Sequence, residues 1–133
     1  MPQLDITLDS SNRLSVGDSN GQNSINPNPA PTIITFTLSG KIALANFVPM
    51  TAAQPGFSFA YPPGQLNGPP LNLFTPGVIG GNGNSLTMTD NHTGASTAGE
   101  WIYILRVVYN GTVYATTFQG PGGTTRNPVI INR

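Results

Sequence analysis

Apolar side chains recur at every second position through most of this chain, the period of half-buried β-strands. Leu4, Ile6 and Leu8 share one face, with Asp5 and Thr7 on the other. Ser10-Ser11-Asn12 turns the chain, and Leu14-Ser15-Val16 continues the strand or pairs with it. From Thr32 to Ser39, Ile34, Phe36 and Leu38 fall on one side. Phe57, Phe59 and Tyr61 repeat the spacing just ahead of Pro62-Pro63-Gly64. Ser85 to Thr89 points Leu86 and Met88 inward. Glu100 to Tyr109 is the longest expected strand. Its one face carries Trp101, Tyr103, Leu105, Val107 and Tyr109, and its other carries Ile102, Ile104 and Val108, interrupted by Arg106. Two apolar faces predict a central strand. Asn110-Gly111 is the favoured pair for a two-residue type I′ hairpin, because both positions need positive φ. Thr112 to Phe118 is then the return strand, and Asn127 to Ile131 closes the chain.

Between these runs the punctuation is dense. Gly17 to Pro31 reads as a polar loop, whose prolines 27, 29 and 31 exclude a central strand. Ile42-Ala43-Leu44 and Phe47-Val48 form a further apolar piece with room for a short helix at most. Pro76 to Asn84 and Asp90 to Gly99 read as connectors. About seven to nine short strands separated by turns predict a single all-β domain over residues 1–133, built as a sandwich of two sheets.

Composition narrows the picture. The chain has 133 residues, with five Lys plus Arg, five Asp plus Glu, and no formal net charge. Charged residues make up 8%, against roughly a quarter in average globular usage. Gly, Pro, Asn, Thr and Ser supply about half of the chain. Ala, Glu, Lys and Leu at helical spacing are scarce, which excludes a helical bundle or coiled coil. Five scattered cations make no phosphate-binding patch, so nucleic acid is not an expected partner. Alternating strands and helices are missing, which excludes a doubly wound cofactor enzyme. With no cysteine there is no disulfide or thiolate chemistry. The N-terminus has no basic stretch followed by an apolar one, and no apolar run approaches a bilayer span. The expected location is the cytoplasm, or outside the cell by a route without a cleaved signal, with no membrane as partner.

Four constellations are candidates for chemistry. His92, the single histidine, sits beside Asp90, with Ser85 and Ser96 near in sequence. A hydrolase would use Asp90, His92 and Glu100, but an acid, a base and a nucleophile must meet in space. Asp90 and Glu100 also flank one connector, as a pair of carboxylates in a glycosidase must flank a cleft. Calcium needs six to eight oxygen ligands. Its candidates are Asp9 to Asn12, Asp18 to Asn20, and Asn82 with Asn84 and Asp90, none spaced as a dedicated loop. Zinc has too few His and Cys ligands. In each case the alternative is that Asn and Asp form solvated turns. Finally, Phe57, Phe59 and Tyr61, with Phe74 beyond the Pro/Gly loop, can form an aromatic platform with Asn82, Asn84 and Asp90 as polar neighbours, the equipment of a neutral sugar site. The same rings serve equally to fill a sandwich core. No catalytic residue, metal or cofactor is expected.

The run Ser85–Thr89, a turn, an aromatic-rich strand and the Asn-Gly hairpin is similar to the last three strands of an immunoglobulin-like domain. That resemblance gives Trp101 or Tyr103 the part of the corner aromatic. Residues 85 to 133 also resemble the DP-EP family of small bacterial proteins and, more distantly, bacterial inclusion-body proteins. The resemblance lies in Ser85-Leu86-Thr87-Met88-Thr89-Asp90, Trp101-Ile102-Tyr103, Tyr109-Asn110-Gly111 with Thr112-Val113-Tyr114, and the closing Asn127-Pro128-Val129-Ile130-Ile131-Asn132. The family commonly has Asp-Pro where this chain has Asn127-Pro128. The resemblance implies an all-β sandwich and no particular activity.

Three functions follow as expectations. The first is a non-enzymatic structural or protein-interaction domain, whose partner is itself in a homo-oligomer or another protein, since a neutral surface offers little repulsion. The second is a carbohydrate-binding, lectin-like module. The third, least favoured, is the hydrolase.

Overall fold

A computed structural model describes residues 3–9, 12–16, 22–25, 31–60, 72–92, 94, 99–116 and 129–132. They form β1 (Gln3–Leu8), β2 (Leu14–Val16), β3 (Gln22–Ile25), β4 (Thr32–Leu38), β5 (Asn46–Phe47), β6 (Phe57–Ala60), β7 (Val78–Ile79), β8 (Ser85–Asp90), β9 (Gly99–Tyr109), β10 (Thr112–Ala115) and β11 (Val129–Asn132), with one 3-10 turn at Gly40–Ile42. The protein is an all-β sandwich of two sheets. Among the described residues no helix is long and apolar enough to cross a membrane.

The first sheet runs β2-β1-β4-β8-β7. β1 and β4 pair in parallel, and the other pairs are antiparallel. Period two sorts its faces. Ile6, Ile34, Phe36, Leu38, Leu86 and Met88 are buried. Outward, hydroxyl pairs face each other across the strands: Thr7 with Ser15, Thr37 with Ser85, and Thr35 with Thr87.

The second sheet is organised on β9, which has partners along both flanks. On one flank β5 pairs with Val107 and Val108, and β6 pairs with residues 102 to 105. Between them the chain bulges out at Arg106, whose carbonyl accepts from Val48 N–H and whose N–H donates to Gly56 O. A side chain at Gly56 has no room, because a Cβ there would lie 2.6 Å from Val48 O. On the opposite flank β10 pairs with residues 106 to 109 and β11 with residues 99 to 102. β10 and β11 therefore lie along one line beside β9. Thr116, just past β10, is bonded to β9 at two points. Its N–H donates to Leu105 O at 3.0 Å, and its Oγ1 accepts from Leu105 N–H at 3.1 Å. The central-strand expectation for β9 thus describes a strand that both flanks cover.

One core joins the sheets. Phe36 of the first sheet contacts Phe57 and Tyr103 of the second, with ring centroids 5.7 and 5.5 Å apart. Phe57 stacks on Tyr103 at 5.2 Å. Such ring pairs add about 0.5–1.5 kcal/mol each beyond their burial. The Asn-Gly hairpin has the expected left-handed backbone, with φ of 51° at Asn110 and 79° at Gly111.

Three expectations need correction. The stretch from Gly17 to Pro31 contains β3, held by parallel backbone pairing to β11. Gln, Asn and Ser carry no strand signal, so only the partner specifies it. Pro76 to Asn84 contains β7 before its turn. The apolar piece after Gly40 is a 3-10 turn followed by two strand residues, and Leu44 stands 93% exposed.

Candidate functional site

Period two carries Asp90 onto the core side of β8, in line with Leu86 and Met88. A carboxyl at such a position is costly unless it finds donors. Asn132 supplies one. It ends β11 on the inward side with Ile130, and its Nδ2 donates to Asp90 Oδ1 at 3.1 Å. This bond ties the last residue of β8, in the first sheet, to the last residue of β11, in the second. Asp90 is 0% exposed, His92 1% and Asn132 3%. Asp90 Oδ2 has no hydrogen-bond partner among the described residues. Burial pushes the Asp90 carboxyl above its ordinary range, while the Asn132 bond, the His92 ring and the His92 backbone N–H pull the other way.

Beside this knot runs a row of aromatic rings. β11 sets Asn132 opposite Gly99 and Ile130 opposite Trp101. The six-membered ring of Trp101 lies on the backbone at Gly99, where a Cβ would come within 2.7 Å of Cη2. Phe74, whose backbone bridges to Asp90, meets Trp101 edge-on at 5.7 Å. Phe59 follows at 5.1 Å from Phe74, and Phe57 at 5.1 Å from Phe59. The rings run unbroken from the buried Tyr103–Phe57 stack out to half-buried Phe59, Phe74 and Trp101.

Of the six expected ligand-binding residues, the five that are described are not gathered in one place. Phe57 is core, at 5% exposure. Phe59 is half-buried on β6, and Tyr61 lies outside the described residues. Asn82 is exposed in the turn before β8. Asn84 Nδ2 donates to Ala43 O at 3.2 Å. Asn84 and Asp90 sit at opposite ends of β8, roughly 20 Å apart at strand rise, so they cannot share a cation. At Asp9 the carboxylate accepts from the Arg13 N–H at 2.9 Å and so closes a turn. Asp18 to Asn20 lie outside the described residues. No group of three His, Cys, Asp or Glu side chains able to hold a metal occurs among the described residues.

Of the hydrolase constellation, only Ser85, Asp90 and His92 have described side chains. Asp90 and His92 are side by side but closed to solvent. Ser85 begins the strand that Asp90 ends. Ser96 and the side chain of Glu100 lie outside the described residues. The Asp90–Asn132 bond ties the two sheets, and both Asp90 and His92 are buried.

Sequence reasoning missed Asn132, although its parity with Ile130 marks it as inward. It offered Phe74 as a platform ring but missed its contact with Trp101, and missed the seat that Gly99, two residues earlier on the same strand, gives the indole. Comparison with protein-family models, with curated proteins and with solved structures finds no match to the chain.

Proposed function

We infer that this chain is a non-enzymatic interaction domain whose partner is a second copy of itself. One observation carries the reading: a contiguous aliphatic row lines the outer face of β9 and β10, whereas the outer face of the other sheet is mainly hydroxylated, with Ile33 and Val78 exposed among the hydroxyls. Ile102, Ile104 and Val108 point away from the core on β9, and Val113 faces Val108 from β10 at 58% exposure. The one cation among them, Arg106, is turned aside. Its Nη1 donates to Pro55 O at 3.0 Å and to Ser58 Oγ at 3.2 Å.

The row ends at β10, which has no strand on its outer side among the described residues. β10 carries no charge and no proline, the devices that usually blunt an edge. Two copies meeting edge to edge across a two-fold axis extend the sheet and the aliphatic row together. The chain has no net charge to oppose that approach. The resemblance to the DP-EP family and to immunoglobulin-like domains is compatible with this reading.

Sedimentation equilibrium from micromolar to near-millimolar protein tests it. The expected result is a mass that rises with concentration and a Val113→Lys variant that stays monomeric. A wild type monomeric throughout, or a variant that associates equally, contradicts the proposal.

A further inference from the structure

We propose that the row Phe59–Phe74–Trp101 is the stacking surface of a binding site for a neutral saccharide. The site is separate from the self-association face, because Trp101 lies on the inward parity of β9 and the aliphatic row on the outward parity. Three observations carry it.

The first is the seat of the indole. Cη2 and Cζ2 of Trp101 lie 2.7 and 2.8 Å from where a Cβ at Gly99 would stand. Only glycine leaves room for the ring against the strand at this position, and Phe74 meets it edge-on. A ring held this way offers a rigid flat surface, as sugar C–H faces require of a stacking partner.

The second is the exposure gradient. Phe57 and Tyr103 are sealed in the core, whereas Phe59, Phe74 and Trp101 all stay partly open. Phe59 and Phe74 pack against the core on one side and stay half-open on the other, and Trp101 continues the row outward.

The third is the polarity of the rim. Asn72 is exposed two residues before Phe74, and Asn91 follows Asp90. Asn91 Nδ2 donates to Asn72 O at 3.1 Å, and Asn91 Oδ1 takes no donor among the described residues. These amides can exchange hydrogen bonds with hydroxyls. The described ionisable side chains here, Asp90 and His92, are both buried. The surface therefore suits an uncharged ligand.

The chain has a single tryptophan, so its fluorescence reports on the site. The experiment titrates the protein with cellohexaose, chitohexaose, xylohexaose and maltohexaose, following fluorescence and, for every variant, calorimetry. We expect saturable binding of at least one probe with a change in Trp101 emission. Affinity falls at least tenfold in Trp101→Ala and in Phe74→Ala, stays within about threefold in Trp101→Phe, and falls in Gly99→Ala, which keeps the indole but lifts it. Unfolding curves identify variants that are still native, and Gly99→Ala decides the matter if Trp101→Ala is not. Val113→Lys leaves saccharide binding unchanged, which separates this site from the association face. Failure of all four probes to bind overturns the proposal. So does binding that survives both Trp101→Ala and Phe74→Ala, or binding abolished by Val113→Lys.

Discussion

Replacing Asn132 with alanine removes the donor that reaches Asp90 Oδ1 at 3.1 Å. Both side chains are buried, so water does not take its place. A buried acceptor stripped of its donor costs about 1–3 kcal/mol, and more when charged. Asp90 Oδ2 already lacks a described partner, so the carboxyl keeps only its contacts with His92. We expect a loss of about 2–3 kcal/mol at pH 8, which lowers the melting temperature of a chain this size by roughly 6–12 °C. The loss shrinks in acid. Burial raises the Asp90 pKa, so the native state holds this proton more tightly than the unfolded chain does. The stability it contributes is complete below the ordinary aspartate range, near 3.9, and is lost as pH rises through the raised value. Removing Asn132 takes away a group that opposes the shift, so the variant declines more steeply with pH. Asp90→Asn removes the titration and flattens the profile. The assay is urea unfolding of wild type, the two single variants and the double variant at pH 4 and pH 8, followed by Trp101 fluorescence. The cycle isolates the pair, with an expected coupling of about 1 kcal/mol or more at pH 8. A cost for Asn132→Ala below about 0.5 kcal/mol, equal at the two pH values, refutes the reasoning.

Ile130→Ala empties the fully buried apolar position of β11. It should cost about 2–5 kcal/mol, read as a lower urea midpoint at unchanged slope. Thr116→Val leaves the Leu105 N–H without the Oγ1 that accepts it at 3.1 Å. A loss of about 1–3 kcal/mol and faster exchange of that amide are expected. Gly111→Ala places a Cβ at φ of 79°, in open space but in the left-handed region. A loss of about 1–2 kcal/mol follows from backbone conformation alone, measurable by thermal melting.

Strands with a strong period were legible in the sequence because burial on one face writes itself into every second residue. β4, β8 and β9 show this, and Asn110-Gly111 adds turn chemistry that depends on two residues only. β3 was not legible. Its Gln, Asn and Ser gain strand conformation from pairing with β11, more than a hundred residues away in the chain. The collinear course of β10 and β11 along β9 is likewise a matter of register between distant segments. At the site, the sequence supplied the aromatics and Asp90 but not their grouping. Phe57 went to the core because its parity on β6 turns it toward Phe36 and Tyr103. Phe74, in a stretch without a clear period, takes its place by a single backbone bridge to Asp90. The carboxyl of Asp90 looked like a turn former because it precedes a turn. Its inward side chain follows from the parity of Leu86 and Met88.

Self-association through the β10 edge is most directly tested by hydrogen exchange of the wild-type protein at two concentrations, one below and one above the expected association range. The amides of β10 that point away from β9 have no strand partner among the described residues and should exchange rapidly in dilute protein. At high concentration they should slow by at least tenfold, while the amides of β1 and β8 keep their rates. Equal exchange in β10 at both concentrations contradicts the account.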